Sequence, residues 1–149
     1  MIAVGSDHGG YELKEPIIKY LMDRELEVKD FGAFDGENSV DYPDYGLAVA
    51  ESIISGECKR GIIICGTGIG ISIAANKVPG IRAALCTDCY MARMSREHNN
   101  ANILALGSRV LGKGLALQIV ETWLDTEFTG ERHQKRLDKI TGIEEKYIK

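Results

Sequence analysis

The sequence has no apolar run approaching the roughly 20 residues that span a bilayer, no surplus of positive charge, no disulfide framework, and no internal repeat or low-complexity tract. Each absence excludes something. Without a spanning run, a soluble chain is expected. A formal net charge of -4 argues against nucleic acid or an anionic membrane as the main partner, because both select basic surfaces. The start, MIAVGSDHGG, passes from a short apolar run straight into a loop with no basic segment before it. That is not the form of a secretory signal, and a cytoplasmic location is the expectation. Cys58, Cys65, Cys86 and Cys89 follow no framework spacing, so reduced thiols are expected. Cys86 and Cys89 form a C-x-x-C, but no second ligand pair at zinc spacing accompanies them. They read as one thiol near a strand end and one opening a helix.

What the chain does have is alternation. Apolar, β-branched runs at residues 2–4, 61–65, 81–86 and 102–106, with a weaker one at 27–31, read as strands. Helical periodicity fills residues 11–24, 42–55, 69–77, 89–98 and 112–124, and a charged helix over 132–147 closes the chain. Parallel strands need crossover connections, so this pattern predicts a parallel sheet with helices on both faces. The expected fold is a Rossmann-like three-layer αβα sandwich, with five parallel strands ordered 2-1-3-4-5 and an extra C-terminal helix. With 149 residues and no linker, one domain over 1–149 is expected; a chain this long buries roughly 70% of its unfolded surface. The longest loop candidate is residues 32–43.

In such a sheet ligands bind beyond the carboxyl ends of the strands, where the connections diverge. Two glycine loops meet that description. The first, Gly5-Ser6-Asp7-His8-Gly9-Gly10, carries an acid and an imidazole. Asp7 and His8 could bind a sugar hydroxyl or an anion, or Asp7 could simply cap the next helix. The second, Cys65-Gly66-Thr67-Gly68-Ile69-Gly70, ends a buried strand in a thiol and turns through glycine into a helix. Its backbone can approach a ligand closely, and a helix start favours negative charge, so a phosphate or an enediolate suits it. A dinucleotide fingerprint fails because Ile71 stands where its third glycine belongs, and no Lys-Ser/Thr pair makes a P-loop.

His98 and Asn99 fall between the fourth helix and the fifth strand, on the amino edge of the sheet. There they read either as a helix C-cap or as catalytic groups entering a second subunit's site, which would require a dimer. Arg132 and Arg136 stand one turn apart around His133, and Arg109 follows the fifth strand. Arginines grouped this way can fork onto phosphate, although i, i+4 arginines are also a common solvated face.

Taken together, GSDHGGYELK, DYPDYG, GIIICGTGIGISIAANKVPGIRAA, SREHNNANILALGSRV and GERHQKRLDKI cover nearly the whole chain. In that order they resemble the ribose-5-phosphate isomerase B family, grouped with galactose-6-phosphate isomerase subunits. The resemblance implies reversible conversion of ribose 5-phosphate to ribulose 5-phosphate, no metal or organic cofactor, and a homodimer or homotetramer with sites shared between subunits. It implies catalytic roles for Cys65, His98 and Thr67, with Cys65 the base at carbon and His98 opening the sugar ring. It further implies substrate contacts from Asp7, His8, Gly66, Thr67, Gly68, Ile69, Gly70 and Asn99, and a phosphate grip from Arg109, Arg132 and Arg136. One departure is Asn100, where many relatives carry Asp. Galactose 6-phosphate or allose 6-phosphate is the alternative substrate. Outside the enzyme class, a nucleotide-binding regulatory module is the alternative; a phosphoacceptor receiver would need an acid where Cys65 stands.

Overall fold

A computed structural model describes residues 1–148. The described residues form one parallel sheet of β1 (Ile2–Ser6), β2 (Val28–Asp30), β3 (Arg60–Cys65), β4 (Ala83–Leu85) and β5 (Ile103–Gly107). Around it lie α1 (Tyr11–Asp23), α2 (Tyr42–Ile54), α3 (Ile69–Ala75), α4 (Cys89–Glu97), α5 (Lys113–Asp125) and α6 (Gln134–Tyr147). Short 3₁₀ turns occupy His8–Gly10 and Glu131–His133. Among the described residues, no helix is long and apolar enough to cross a membrane.

The fold class is the expected one, but the strand order needs correction: it is β2-β1-β3-β5-β4, not 2-1-3-4-5. Burial explains the exchange. Every residue of β5 is buried, whereas all three residues of β4 are only half-buried. A strand buried on both faces belongs inside a parallel sheet, and a short, partly exposed one belongs at its edge. The divergence between β1 and β3 is unaffected by the exchange.

Side chains alternate across each strand. Ile62 and Ile64 of β3 point with Val4, Leu104 and Leu106 into the core beneath α1, α4 and α5, where Trp123 is fully buried. Ile63 and Cys65 point the other way, towards Val49, Ala50, Ile71 and Ala75 of α2 and α3. Each fully buried isoleucine contributes roughly 1.5–3 kcal/mol. Lys14 is also fully buried, and its Nζ lies 2.7 and 2.8 Å from the two carboxylate oxygens of Asp30, tying α1 to the end of β2. The helix expected from residue 132 instead begins at Gln134, after the 3₁₀ turn.

Candidate active site

At the carboxyl edge, the loops after β1, β3 and β5 are sewn together. Cys65 ends β3 with its side chain buried, and the Gly68 N–H donates to its Sγ at 3.1 Å. That bond requires the chain to reverse within three residues, and Gly68 does so at φ +80°. A β-carbon there would lie 2.6 Å from Leu85 and 2.9 Å from the Leu106 carbonyl carbon. Gly107 is equally confined: a β-carbon would come within 2.5 Å of the Thr67 carbonyl oxygen. Gly68→Ala is therefore expected to lower unfolding free energy by about 1–3 kcal/mol, the cost of a strained left-handed residue. Urea unfolding measures this, and an unchanged midpoint would contradict the geometry.

The exposed Thr67 accepts a hydrogen bond from the Ile69 N–H at 3.2 Å through Oγ1. Two amides of the loop, those of Gly68 and Ile69, are thus engaged internally rather than free. Ile69 is exposed, and the Tyr42 ring packs so closely on Gly70 that a β-carbon would sit 2.6 Å from it.

Asp7 caps the 3₁₀ turn, its Oδ1 accepting the Gly10 N–H at 2.9 Å. His8 Nδ1 lies 3.0 Å from the Val40 N–H and 3.2 Å from the Val40 carbonyl oxygen. The segment after β2 therefore positions His8. Arg109 lies across the glycine loops: a β-carbon on Gly66 would be 3.5 Å from its Nη1, and one on Gly9 3.8 Å from its Nη2. Ser108, which sequence reasoning missed, donates through Oγ to the Gly9 carbonyl, while its N–H donates to the Cys65 carbonyl at 2.9 Å. Its only sequence signal is its place beside Arg109.

The second group of candidates lies at the opposite edge. His98 caps the end of α4 and stacks on His133, with ring centroids 4.1 Å apart and planes 19° from parallel. Arg132 Nε donates to His133 Nε2 at 3.3 Å. Burial, reinforced by the neighbouring His98, Arg132 and Arg136, holds the His133 imidazole below its ordinary pKa. Glu97, His98 and Thr129 to His133 line a concavity of about 340 Å³. Asn99, Arg132 and Arg136 are exposed around it. The stacking partner His133 was missed as a site residue, although it stands between the two arginines that drew notice.

The two groups do not meet within one chain. In the β3–β5 register Gly61 pairs with Ile103 and Cys65 with Gly107, so four residues of strand, about 13 Å, separate the edges. The structure brings Asp7, His8, Cys65, the 66–70 loop and Arg109 together at one edge. It gathers His98, Asn99 and Arg132 at the other.

The remaining cysteines have a structural setting. Cys58 and Cys86 are 1% exposed, and burial pushes the Cys86 thiol up to about 11. Cys89 opens α4, whose cap is the Asp88 carboxylate accepting the Met91 N–H at 2.7 Å.

A thiol, a glycine loop and an arginine converge where the sheet connections diverge, the place where doubly wound α/β proteins bind their ligands. Comparison with known proteins narrows that class. A family model described as Ribose/Galactose Isomerase matches residues 2–140. Ribose-5-phosphate isomerase B of Escherichia coli is 50% identical over 145 residues, 97% of each chain. D-erythrulose-4-phosphate isomerase of Pectobacterium atrosepticum is 47% identical over 141 residues, 93% of this chain and 91% of that one. The solved structure of Clostridium thermocellum ribose-5-phosphate isomerase B superposes with a TM-score of 0.97 at 67% identity, covering 99% of both chains. The chain belongs to the ribose/galactose isomerase family and is an aldose–ketose isomerase.

Proposed function

We propose that residues 1–149 act as one cytoplasmic isomerase domain that interconverts ribose 5-phosphate and ribulose 5-phosphate in a homo-oligomer with shared sites. The observation that carries this reading is the buried Cys65 sulfur held by the Gly68 N–H, with Arg109 lying over the same loop.

Aldose–ketose isomerisation needs a ring opener, a base at carbon, donors for the enediolate oxygen and a grip on the remote phosphate. His98, from the neighbouring subunit, moves the proton from the C1 hydroxyl to the ring oxygen as the C1–O bond breaks, leaving the aldehyde. Cys65, as thiolate, removes the C2 proton, and the electron pair becomes the C1–C2 double bond with negative charge on the carbonyl oxygen. Unengaged amides of the 66–70 loop stabilise that oxygen. Thr67 relays the proton from the C2 hydroxyl to the C1 oxygen. Cys65 then returns its proton to C1, giving the ketone at C2. Asp7, His8 and Asn99 hold sugar hydroxyls. Arg109, with Arg132 and Arg136 of the second subunit, grips the phosphate and spends binding energy on alignment.

The identity to a tetrose-phosphate isomerase indicates that this scaffold serves more than one sugar length. The test is turnover of ribose 5-phosphate with EDTA present, beside galactose 6-phosphate, allose 6-phosphate and erythrulose 4-phosphate. Conversion of the pentose with the highest kcat/KM is expected. Preference for another sugar would keep the mechanism and replace the substrate; inactivity on all four would contradict the reading.

A further inference from the structure

The turn that carries His98 and Asn99 is held by side chains from distant segments. The Glu97 carbonyl accepts both the N–H and the Oγ1 hydroxyl of Thr129, at 3.2 and 2.9 Å. Arg82, just before β4, donates through Nε to the Asn99 carbonyl at 2.9 Å and through Nη2 to the Asn100 carbonyl at 3.1 Å. Arg96 Nη1 donates to the Ala101 carbonyl at 2.7 Å and to Asn100 Oδ1 at 2.9 Å. Three successive carbonyls thus each accept a guanidinium N–H. Between them Asn100 adopts φ +45°, a left-handed conformation that a non-glycine residue holds only when its surroundings dictate it. The amide of Asn100 serves here as the acceptor for Arg96.

Helix ends leave carbonyls without intrahelical partners, and water satisfies them equally well at a surface. A guanidinium adds direction. Its planar fork fixes two successive carbonyls in one orientation, and therefore fixes where the side chains between them point. Among the described residues Arg82 makes no ion pair with a carboxylate, so its hydrogen bonds to this turn are its charged-group contacts. Its backbone is anchored independently: the Arg82 N–H donates to Asn102 Oδ1 at 2.8 Å, and its carbonyl accepts the Asn102 N–H at 3.1 Å. Truncating the side chain therefore frees the Asn99 and Asn100 carbonyls while leaving the start of β4 in place.

We propose that Arg82 is a positioning residue for the reaction: it orients the His98–Asn99 turn so that these side chains meet the Cys65 loop of the adjoining subunit. This rests on the shared-site reading above. Arg82 touches no reacting atom in that arrangement and acts through the turn alone.

The test uses Arg82→Met and Arg82→Lys in the full chain. Arg82→Met is expected to lower kcat roughly ten- to a hundredfold, the scale of an ångström-level misplacement, with KM within about threefold and thermal unfolding nearly unchanged. Arg82→Lys, which keeps one donor, is expected to recover part of the loss. Hybrids separate positioning from general weakening. Paired with Cys65→Ala subunits, Arg82→Met subunits should show more activity than the Arg82→Met homo-oligomer, because one site then combines an intact Cys65 with an intact His98 turn. Paired with His98→Asn subunits they should show no such gain. Equal gains with both partners, or wild-type kcat for Arg82→Met alone, would overturn the inference. A Cys65→Ala/His98→Asn control without rescue would instead overturn the shared-site reading, and the kcat of Arg82→Met would then decide the positioning role.

Discussion

Cys65→Ala is expected to reduce turnover by roughly 10²–10⁴-fold, the usual contribution of a positioned acid–base group, while substrate still binds. The expectation follows from what the sulfur touches. Cys65 ends β3, buried from Gly61 onward, and its Sγ is the acceptor for the Gly68 N–H. Removing it deletes the proposed base but is expected to leave Gly68 at its left-handed turn and the backbone bonds from Ser108 and Arg109 to the Cys65 and Gly66 carbonyls. In the proposed mechanism the phosphate grip lies on Arg109 and on groups at the other edge, so binding energy remote from the reacting carbons is expected to survive. Initial rates give the first quantity, and calorimetry with ribose 5-phosphate on the slow variant gives the second. Turnover at the wild-type rate would remove Cys65 as the base; loss of binding would show that the thiol holds substrate in place.

The second large effect is a gain. Cys65→Ala and His98→Asn proteins, each nearly inactive alone, are expected to regain activity when unfolded, mixed in equal amounts and refolded together. Randomly paired dimers would be half hybrids, and each hybrid holds one intact site of two, so about a quarter of wild-type specific activity is expected. The reason is geometric. Cys65 lies at the carboxyl edge, whereas the turn bearing His98 is bonded to Arg82 at the amino end of β4. The edges are separated by four residues of a fully paired strand, which cannot shorten. A site using both groups must borrow one from a neighbour. Verified hybrids without activity would place both groups in separate roles.

Much of this is legible in the sequence. The loop 65–70 announced itself because glycine, a thiol and a strand end coincide there, and the amino-edge position of His98 followed from counting elements. The order of β4 and β5 was not legible, because chain order sets neither neighbour. The decisive difference is that Ile103–Gly107 is wholly buried while Ala83–Leu85 is half-buried, and that burial emerges only on packing. The burial of Lys14 against Asp30, 16 residues away in sequence, has no local sequence signal either. Ser108 and Arg82 were equally invisible as site-supporting residues. Ser108 reaches Gly9 across 99 residues of sequence and Arg82 reaches Asn99 across 17, and no local pattern encodes such pairings. Asn100 looked like a departure from the family pattern. In the structure its side-chain oxygen accepts from Arg96, a role that an aspartate oxygen fills as well.

The most direct measurement is the product formed when the purified wild-type protein is given ribose 5-phosphate in the presence of EDTA, followed by carbon NMR. The mechanism predicts that the anomeric signals of the aldose decline as the ketone carbon of ribulose 5-phosphate grows, and that Cys65→Ala protein run beside it leaves the aldose nearly untouched. An unchanged spectrum with the wild-type protein would contradict the assignment of this substrate and this chemistry to the chain.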